Sequence, residues 1–193
     1  MQEQAERSSL SPPRGKNVKV SLSILVLLCA APVFAQNQPN ITSTPPVCGP
    51  DGSRFNVKTE SRQHPTGQPA AGKALVYFLE DDDNFNSVPK PTTRMSVDGS
   101  WAGATHGNSY FYVSVDPGEH HLCAVWQSAV DFSSGRQSAL AHFTADSGGV
   151  YYFRVENSWG VSGVPSVTMR AVSADEGQRL VSRFALSTST PKK

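Results

Sequence analysis

Lys73-Ala74-Leu75-Val76-Tyr77-Phe78-Leu79 is the stretch that decides the fold. Its two alternating sets, Ala74, Val76 and Phe78 on one side and Leu75, Tyr77 and Leu79 on the other, are both apolar. Successive side chains of an extended chain point to opposite faces. A strand here therefore needs cover on both faces and belongs in the interior of a layered β-structure.

Outward from that strand, short runs rich in Val, Tyr and Phe alternate with turn residues. Residues 93–97 lead into Asp98-Gly99, a strong two-residue hairpin signal, and then into residues 100–104. Gly107-Asn108 precedes residues 109–115, and Pro117-Gly118, suited to the centre of a type II turn, precedes residues 120–127. Residues 138–144 and 150–156 flank Ser147-Gly148-Gly149, and residues 166–172 form the last run. Turn signals about every 8–12 residues predict an all-β fold. The expected class is an immunoglobulin-like or related antiparallel β-sandwich of about 7–9 strands. One short C-terminal helix breaks the pattern. Ser173-Ala174-Asp175-Glu176 is a capping box, and Leu180, Val181 and Phe184 follow at helical spacing.

Upstream, residues 18–34 hold Val20, Leu22, Ile24, Leu25, Val26, Leu27 and Leu28 after Arg14, Lys16 and Lys19, and close on Val33-Phe34-Ala35. Charged, apolar and cleavage regions in that order predict a secretory signal over residues 1–35, cut after Ala35. The apolar run is short of the roughly 20 residues that span a bilayer. Lipid attachment at Cys29 is the less favoured alternative, because Leu28 stands where a small residue is required. Residues 36–47 read as a disordered spacer, residues 48–185 as one sandwich domain, and the Ser/Thr-rich residues 186–193 as a disordered tail. Residues 63–72 read as a polar connection.

The chain of 193 residues carries 17 Lys and Arg against 16 Asp and Glu. Loss of residues 1–35 removes Arg7, Arg14, Lys16 and Lys19 with Glu3 and Glu6, leaving 13 against 14 in the remaining 158 residues. That balance, without a basic cluster, argues against nucleic-acid binding. Cys48 and Cys123 then remain, and in an oxidising compartment a structural disulfide between them is expected. The alternative is a reactive or zinc-binding thiol, for which neither cysteine has a Cys-x-x-Cys partner.

Catalytic constellations are missing from the sequence pattern. His120 and His121 are adjacent in a strand, so they face opposite ways and cannot share one ion. His64 lies in a connection, His106 near a turn, and His142 alternates with apolar residues; surface or hydrogen-bonded roles are expected for all five histidines. Glu80-Asp81-Asp82-Asp83-Asn84, with Asn86 beyond, offers oxygen ligands that suit calcium, but lacks the glycine and terminal glutamate of a calcium loop. A solvated acidic loop that discourages edge pairing is the expectation. Ser128, Ser133 and Ser134 stand in no Gly-x-Ser-x-Gly elbow, and residues 103–108 lack the lysine of a phosphate loop. No metal or cofactor is expected. Aromatic residues are the remaining candidates for binding: Tyr110 and Tyr112 share one strand face, and Trp126 lies in a later strand.

Several segments resemble a family of secreted, lipoprotein-like bacterial proteins, domain of unknown function 2846. They are Cys48-Gly49-Pro50, Phe55-Asn56-Val57-Lys58-Thr59, Gly72-Lys73-Ala74-Leu75-Val76-Tyr77, Val97-Asp98-Gly99, Gly107-Asn108-Ser109-Tyr110-Phe111, Pro117-Gly118-Glu119-His120 and Val150-Tyr151-Tyr152-Phe153. These are turn and strand signatures over most of residues 48–185, so the resemblance implies a fold and supplies no catalytic residue. The expected role is a non-enzymatic exported module, periplasmic or extracellular, with a protein or glycan partner in the cell envelope. A carbohydrate- or peptide-binding domain using Tyr110, Tyr112 and Trp126 is the alternative, and a metal-dependent hydrolase ranks last.

Overall fold

In the computed structural model of the chain, the structure describes residues 48–85, 89–127, 137–159 and 163–193. The expected signal and spacer (residues 1–47, with Cys29), Asn86, Ser128, Ser133 and Ser134 lie outside the described residues. The described strands are β1 (Phe55–Glu60), β2 (Ala74–Asp81), β3 (Thr92–Val97), β4 (Ser100–His106), β5 (Ser109–Val115), β6 (Gly118–Trp126), β7 (Ser138–Ala145), β8 (Val150–Trp159), β9 (Pro165–Val172) and β10 (Ala185–Pro191); the helix α1 (Ala174–Arg183) separates the last two. All belong to one compact unit, Ile41–Lys193.

Every residue of β2 is buried, as its double apolar pattern requires. β2 lies inside a six-stranded sheet of order β1-β10-β5-β2-β8-β9, which faces a four-stranded sheet of order β4-β3-β6-β7. Between the sheets, Ala74, Val76 and Phe78 pack with Met95, Leu122, Ala124, Trp126, Phe153 and Val155. On the far side, Leu75, Tyr77 and Leu79 join Tyr110 and Tyr152 beneath Leu180, Val181 and Phe184. The expected sandwich with one C-terminal helix is thus present, with all eight expected strands and two more. It is not wholly antiparallel: β2–β8 and β10–β5 are parallel pairs.

Most local signals act as they should. Asp98 and Gly99 take φ of 49° and 75°, so a two-residue loop with both centres left-handed joins Val97 to Ser100 and matches the strand twist. The Pro117-Gly118 signal is met only in part: Pro117 sits at a bend and Gly118, at φ 132° rather than the roughly +80° of a type II turn, already opens β6. Ser173 caps α1 by accepting from the Glu176 N–H at 3.2 Å, and Asp175 and Glu176 occupy the first turn, where the helix dipole favours negative charge.

Two expectations need correction here. The Ser/Thr-rich C-terminus is not a disordered tail: residues 185–191 are β10, paired along β1 and, at Ala185 and Leu186, with β5. Its hydroxyls do the work of apolar side chains. Ser187 Oγ donates to the Ala104 carbonyl at 2.9 Å and Ser189 Oγ accepts from the Ala104 N–H at 3.0 Å, satisfying the backbone of the edge strand β4. Residues 63–72 are likewise more than a connection. The Tyr77 hydroxyl accepts from the Gly67 N–H at 2.7 Å, the Tyr110 hydroxyl donates to the Pro65 carbonyl at 2.9 Å, and His64 Nδ1 is hydrogen-bonded to the Phe184 carbonyl at 2.8 Å. That segment roofs the tyrosine face of the sheet.

Tyr152 faces away from Phe153, as alternation predicts, yet it is also buried, because α1 covers it. A Cβ at Gly177 would overlap the Tyr152 ring. Gly177→Ala should therefore lower the melting temperature, although alanine in a helix interior is intrinsically favoured by about 1 kcal/mol. Tyr152→Ala should cost about 3–5 kcal/mol in urea unfolding, comparable with Phe153→Ala rather than well below it. A stabilised Gly177→Ala variant would show that α1 does not clamp Tyr152.

Candidate functional site

Glu80 and Asp81 end the core strand β2 and Asp82 follows with no turn residue between, so the strand alternation continues through all three. Glu80 and Asp82 have the parity of Val76 and Phe78 and point between the sheets, whereas Asp81 has the parity of Tyr77 and points toward α1. All three are buried, at 0%, 2% and 1% exposure, which corrects the expectation of a solvated acidic loop for these residues, whereas Asp83 and Asn84 are exposed as expected. The reason is that partners wait for the buried three inside the sandwich. Asp81 pairs with Arg154 at 2.7 Å, and Arg154 also reaches Glu176 on α1 at 3.4 Å.

Glu80 and Asp82 share a donor. Asn157, fully buried on β8, donates through Nδ2 to Glu80 Oε1 and to Asp82 Oδ1, each at 2.7 Å, while its Oδ1 accepts from Trp126 Nε1 at 2.8 Å. The Thr93 hydroxyl donates to Glu80 Oε1. The remaining oxygens, Glu80 Oε2 and Asp82 Oδ2, are buried without a hydrogen-bond partner among the described residues. Burial, reinforced by the charge of Asp82, pushes the Glu80 carboxyl well above its ordinary range, against the hydrogen bonds from Thr93, Thr105 and Asn157. Burial also raises Asp82, opposed by Asn157, Lys90 and His106. The pair therefore retains a proton at pH values where exposed carboxylates are ionised. It is closed to solvent, so it can hold a proton but offers no face to a substrate.

The residues expected to bind a ligand are placed elsewhere. Trp126 and Tyr110 are both fully buried, on opposite sides of the six-stranded sheet. Trp126 stands between the apolar core and the carboxyl pair, in edge contact with Phe85. Tyr110 and Tyr112 lie in the second core with Tyr77 and Tyr152, and burial pushes the Tyr110 hydroxyl up to about 12. Gly67 sits over Tyr112 so closely that a Cβ would fall 2.6 Å from its ring. The three aromatics thus form no common platform, because the chain itself occupies the face they would have offered.

Cys48 and Cys123 are joined in a disulfide with Cα atoms 5.2 Å apart. Cys123 has the opposite parity from Leu122 and Ala124, so it points to the outer face of the four-stranded sheet, and the bond lays residues 48–54 across that face. There Trp101 Nε1 donates to the Pro50 carbonyl at 2.9 Å, Arg94 Nη1 donates to the Ser53 carbonyl, and the Arg94 guanidinium lies 4.2 Å from the Trp101 ring centroid. A Cβ at Gly49 would sit 2.6 Å from the Trp101 ring, so only glycine permits this approach. Gln127 brackets Phe55, its Oε1 accepting from the Phe55 N–H at 2.6 Å and its Nε2 donating to the Phe55 carbonyl at 3.1 Å. Beside the strap opens a cleft of about 270 Å³ lined by Cys48, Gly49, Asp51, Arg94, Trp101, Val125 and Ser138.

A second polar knot holds the Asp98-Gly99 turn. His120 Nδ1 lies 2.6 Å from Asp98 Oδ2 and Nε2 lies 2.7 Å from the Asp116 carbonyl. Both partners are acceptors, which calls for the doubly protonated ring. Burial alone would lower the His120 pKa, but the Asp116 carbonyl and the Asp98 carboxylate outweigh it and raise it.

A two-sheet β-sandwich with one covering helix and a disulfide-strapped N-terminal segment is the class these features define. The chain belongs to the family described as protein of unknown function (DUF2846), whose model matches residues 70–167. That span runs from just before β2 into β9 and contains Cys123, Asn157 and the carboxyl pair, whereas Cys48, α1 and β10 lie outside it. No curated protein matches the chain.

Proposed function

We propose that the protein is an exported, non-enzymatic β-sandwich that binds a partner in the cell envelope through the cleft beside the N-terminal strap. The disulfide carries this reading. A Cys48–Cys123 bond belongs to an oxidising compartment, and it also builds the cleft by pinning Gly49 and Pro50 against Trp101. Among the described residues, no helix is long and apolar enough to cross a membrane. The cleft lies at the small end of ligand sites, so it suits a single protruding side chain or sugar edge rather than a whole cofactor. The carboxyl pair, with Glu80 and Asp82 closed to solvent, supports a structural role over a catalytic one.

Two measurements test the reading. N-terminal sequencing of the fractionated protein should find Gln36 first. A chain retaining residues 1–35 in the cytoplasm would overturn export, and one beginning at a lipid-modified Cys29 would replace release with anchoring. A photoreactive side chain introduced at Ser138, on the cleft, should crosslink an envelope component in cells and lose it with Trp101→Ala. The same group at Thr168, on the outer surface of β9, should not. Equal labelling from both positions would remove the cleft from the binding surface.

A further inference from the structure

We propose that His121 and His142 form a surface chelate for a divalent first-row transition ion, copper(II) foremost. The two residues are far apart in sequence, but β6 and β7 pair antiparallel with His121 directly opposite His142. The hydrogen-bond direction then decides how close the side chains come. The His121 N–H donates to Asp98 Oδ1 at 2.8 Å and its carbonyl accepts from the Asp98 N–H at 2.8 Å, so both backbone groups point away from β7. The Trp126 N–H, of opposite parity, donates to the Gln137 carbonyl and so points toward the β7 side. His121–His142 is therefore a non-hydrogen-bonded pair, the arrangement in which facing Cα atoms are only about 4.5 Å apart and side chains lie closest.

Both rings are exposed on the outer face of the four-stranded sheet, and no reorganisation of the core is needed to turn them toward one ion. The charge setting favours a cation. The flanking pairs on this face are Glu119–Thr144 and Cys123–Leu140, which bring one carboxylate and no positive side chain. Asp98 places a further carboxylate beside His121, its Oδ1 accepting from the His121 N–H at 2.8 Å. Among the described residues, no cluster of three or more His, Cys, Asp and Glu side chains forms a metal cage. The site is thus a two-imidazole chelate completed by water, and two neutral imidazoles bind in the order copper(II) above nickel(II) and zinc(II).

Titration calorimetry of the tag-free chain with its disulfide intact, using copper(II) and zinc(II) salts at pH 7.5, tests the proposal. One ion per chain should bind, copper more tightly than zinc. His121→Gln or His142→Gln alone should each weaken binding by about tenfold or more, with the double variant little worse than either, because loss of one arm ends chelation. His64→Gln should leave binding unchanged. Affinity should fall as the solution is acidified, because protons compete with the ion for the ring nitrogens. The ion should raise the melting temperature of the wild type and not of the double variant. Both positions are exposed, so metal-free melting curves should coincide and confirm that the variants fold. Affinity within threefold of wild type in either single variant, or losses that add independently in the double variant, would overturn the chelate.

Discussion

Replacing both Cys48 and Cys123 with serine should destabilise the protein by about 4–5 kcal/mol, because the bond closes a loop of 75 residues in the unfolded chain. For a domain of this size that corresponds to a fall in melting temperature of roughly 10–20 °C. The native state should loosen unevenly. Residues 48–54 would keep the Trp101–Pro50, Arg94–Ser53 and Lys192–Arg54 bonds, whereas Phe55 remains bracketed by Gln127 and β1 remains paired along β10. Amide exchange should therefore accelerate over residues 48–54 and stay slow from Phe55 onward. Under the proposed function the same variant loses the Ser138 crosslink, since Gly49 no longer holds the cleft wall. Two titratable thiols in the exported protein, or a melting temperature indifferent to reductant, would defeat this account.

What the sequence disclosed was local, and what it concealed was pairing. The double apolar pattern of β2, the Asp98-Gly99 turn and the Ser173 cap each rest on neighbouring residues, and each is found as expected. The disulfide was legible only because two cysteines leave one partnership. β10 was missed because its burial rests on serine hydroxyls meeting the β4 backbone, a contact between residues more than 80 positions apart. The aromatic platform failed for a related reason: nothing local says that residues 64–67 return to cover Tyr110 and Tyr112. His121 and His142 faced each other only once the β6–β7 register was known. The acidic run carried a readable signal that composition obscured. Glu80 and Asp82 continue the alternation of Val76 and Phe78, with no turn residue to end the strand.

That acidic pair sets the second large effect. Asn157→Ala should cost about 3–5 kcal/mol, because it strips a donor from Glu80 and Asp82 and the acceptor from Trp126 Nε1, all inside the sandwich. The pH dependence distinguishes this from loss of packing. The folded Glu80 pKa is raised above its ordinary value of 4.5, so between that value and the folded pKa the native state holds a proton that the unfolded chain has released. Stability is then fully present below about pH 4.5 and declines as pH rises, by about 1.4 kcal/mol per pH unit for one proton, until the folded pKa is passed. Asp82, also raised, contributes in the same sense above its ordinary value of 3.8, and His120 only above its ordinary value of 6.5, so below pH 6.5 the slope belongs to the carboxyl pair. Glu80→Gln mimics the protonated acid and keeps an oxygen for Thr93 and Asn157. It should match the wild type near pH 4.5, exceed it in stability at pH 8, and flatten the slope between. Asn157→Ala should widen the deficit toward pH 8, where the carboxyls lose their proton without the amide that joins them. Urea unfolding at several pH values reads each of these slopes. If Glu80→Gln is less stable than the wild type at pH 8, the carboxyl is ionised and well paired in the native protein, and the proton-holding pair is wrong.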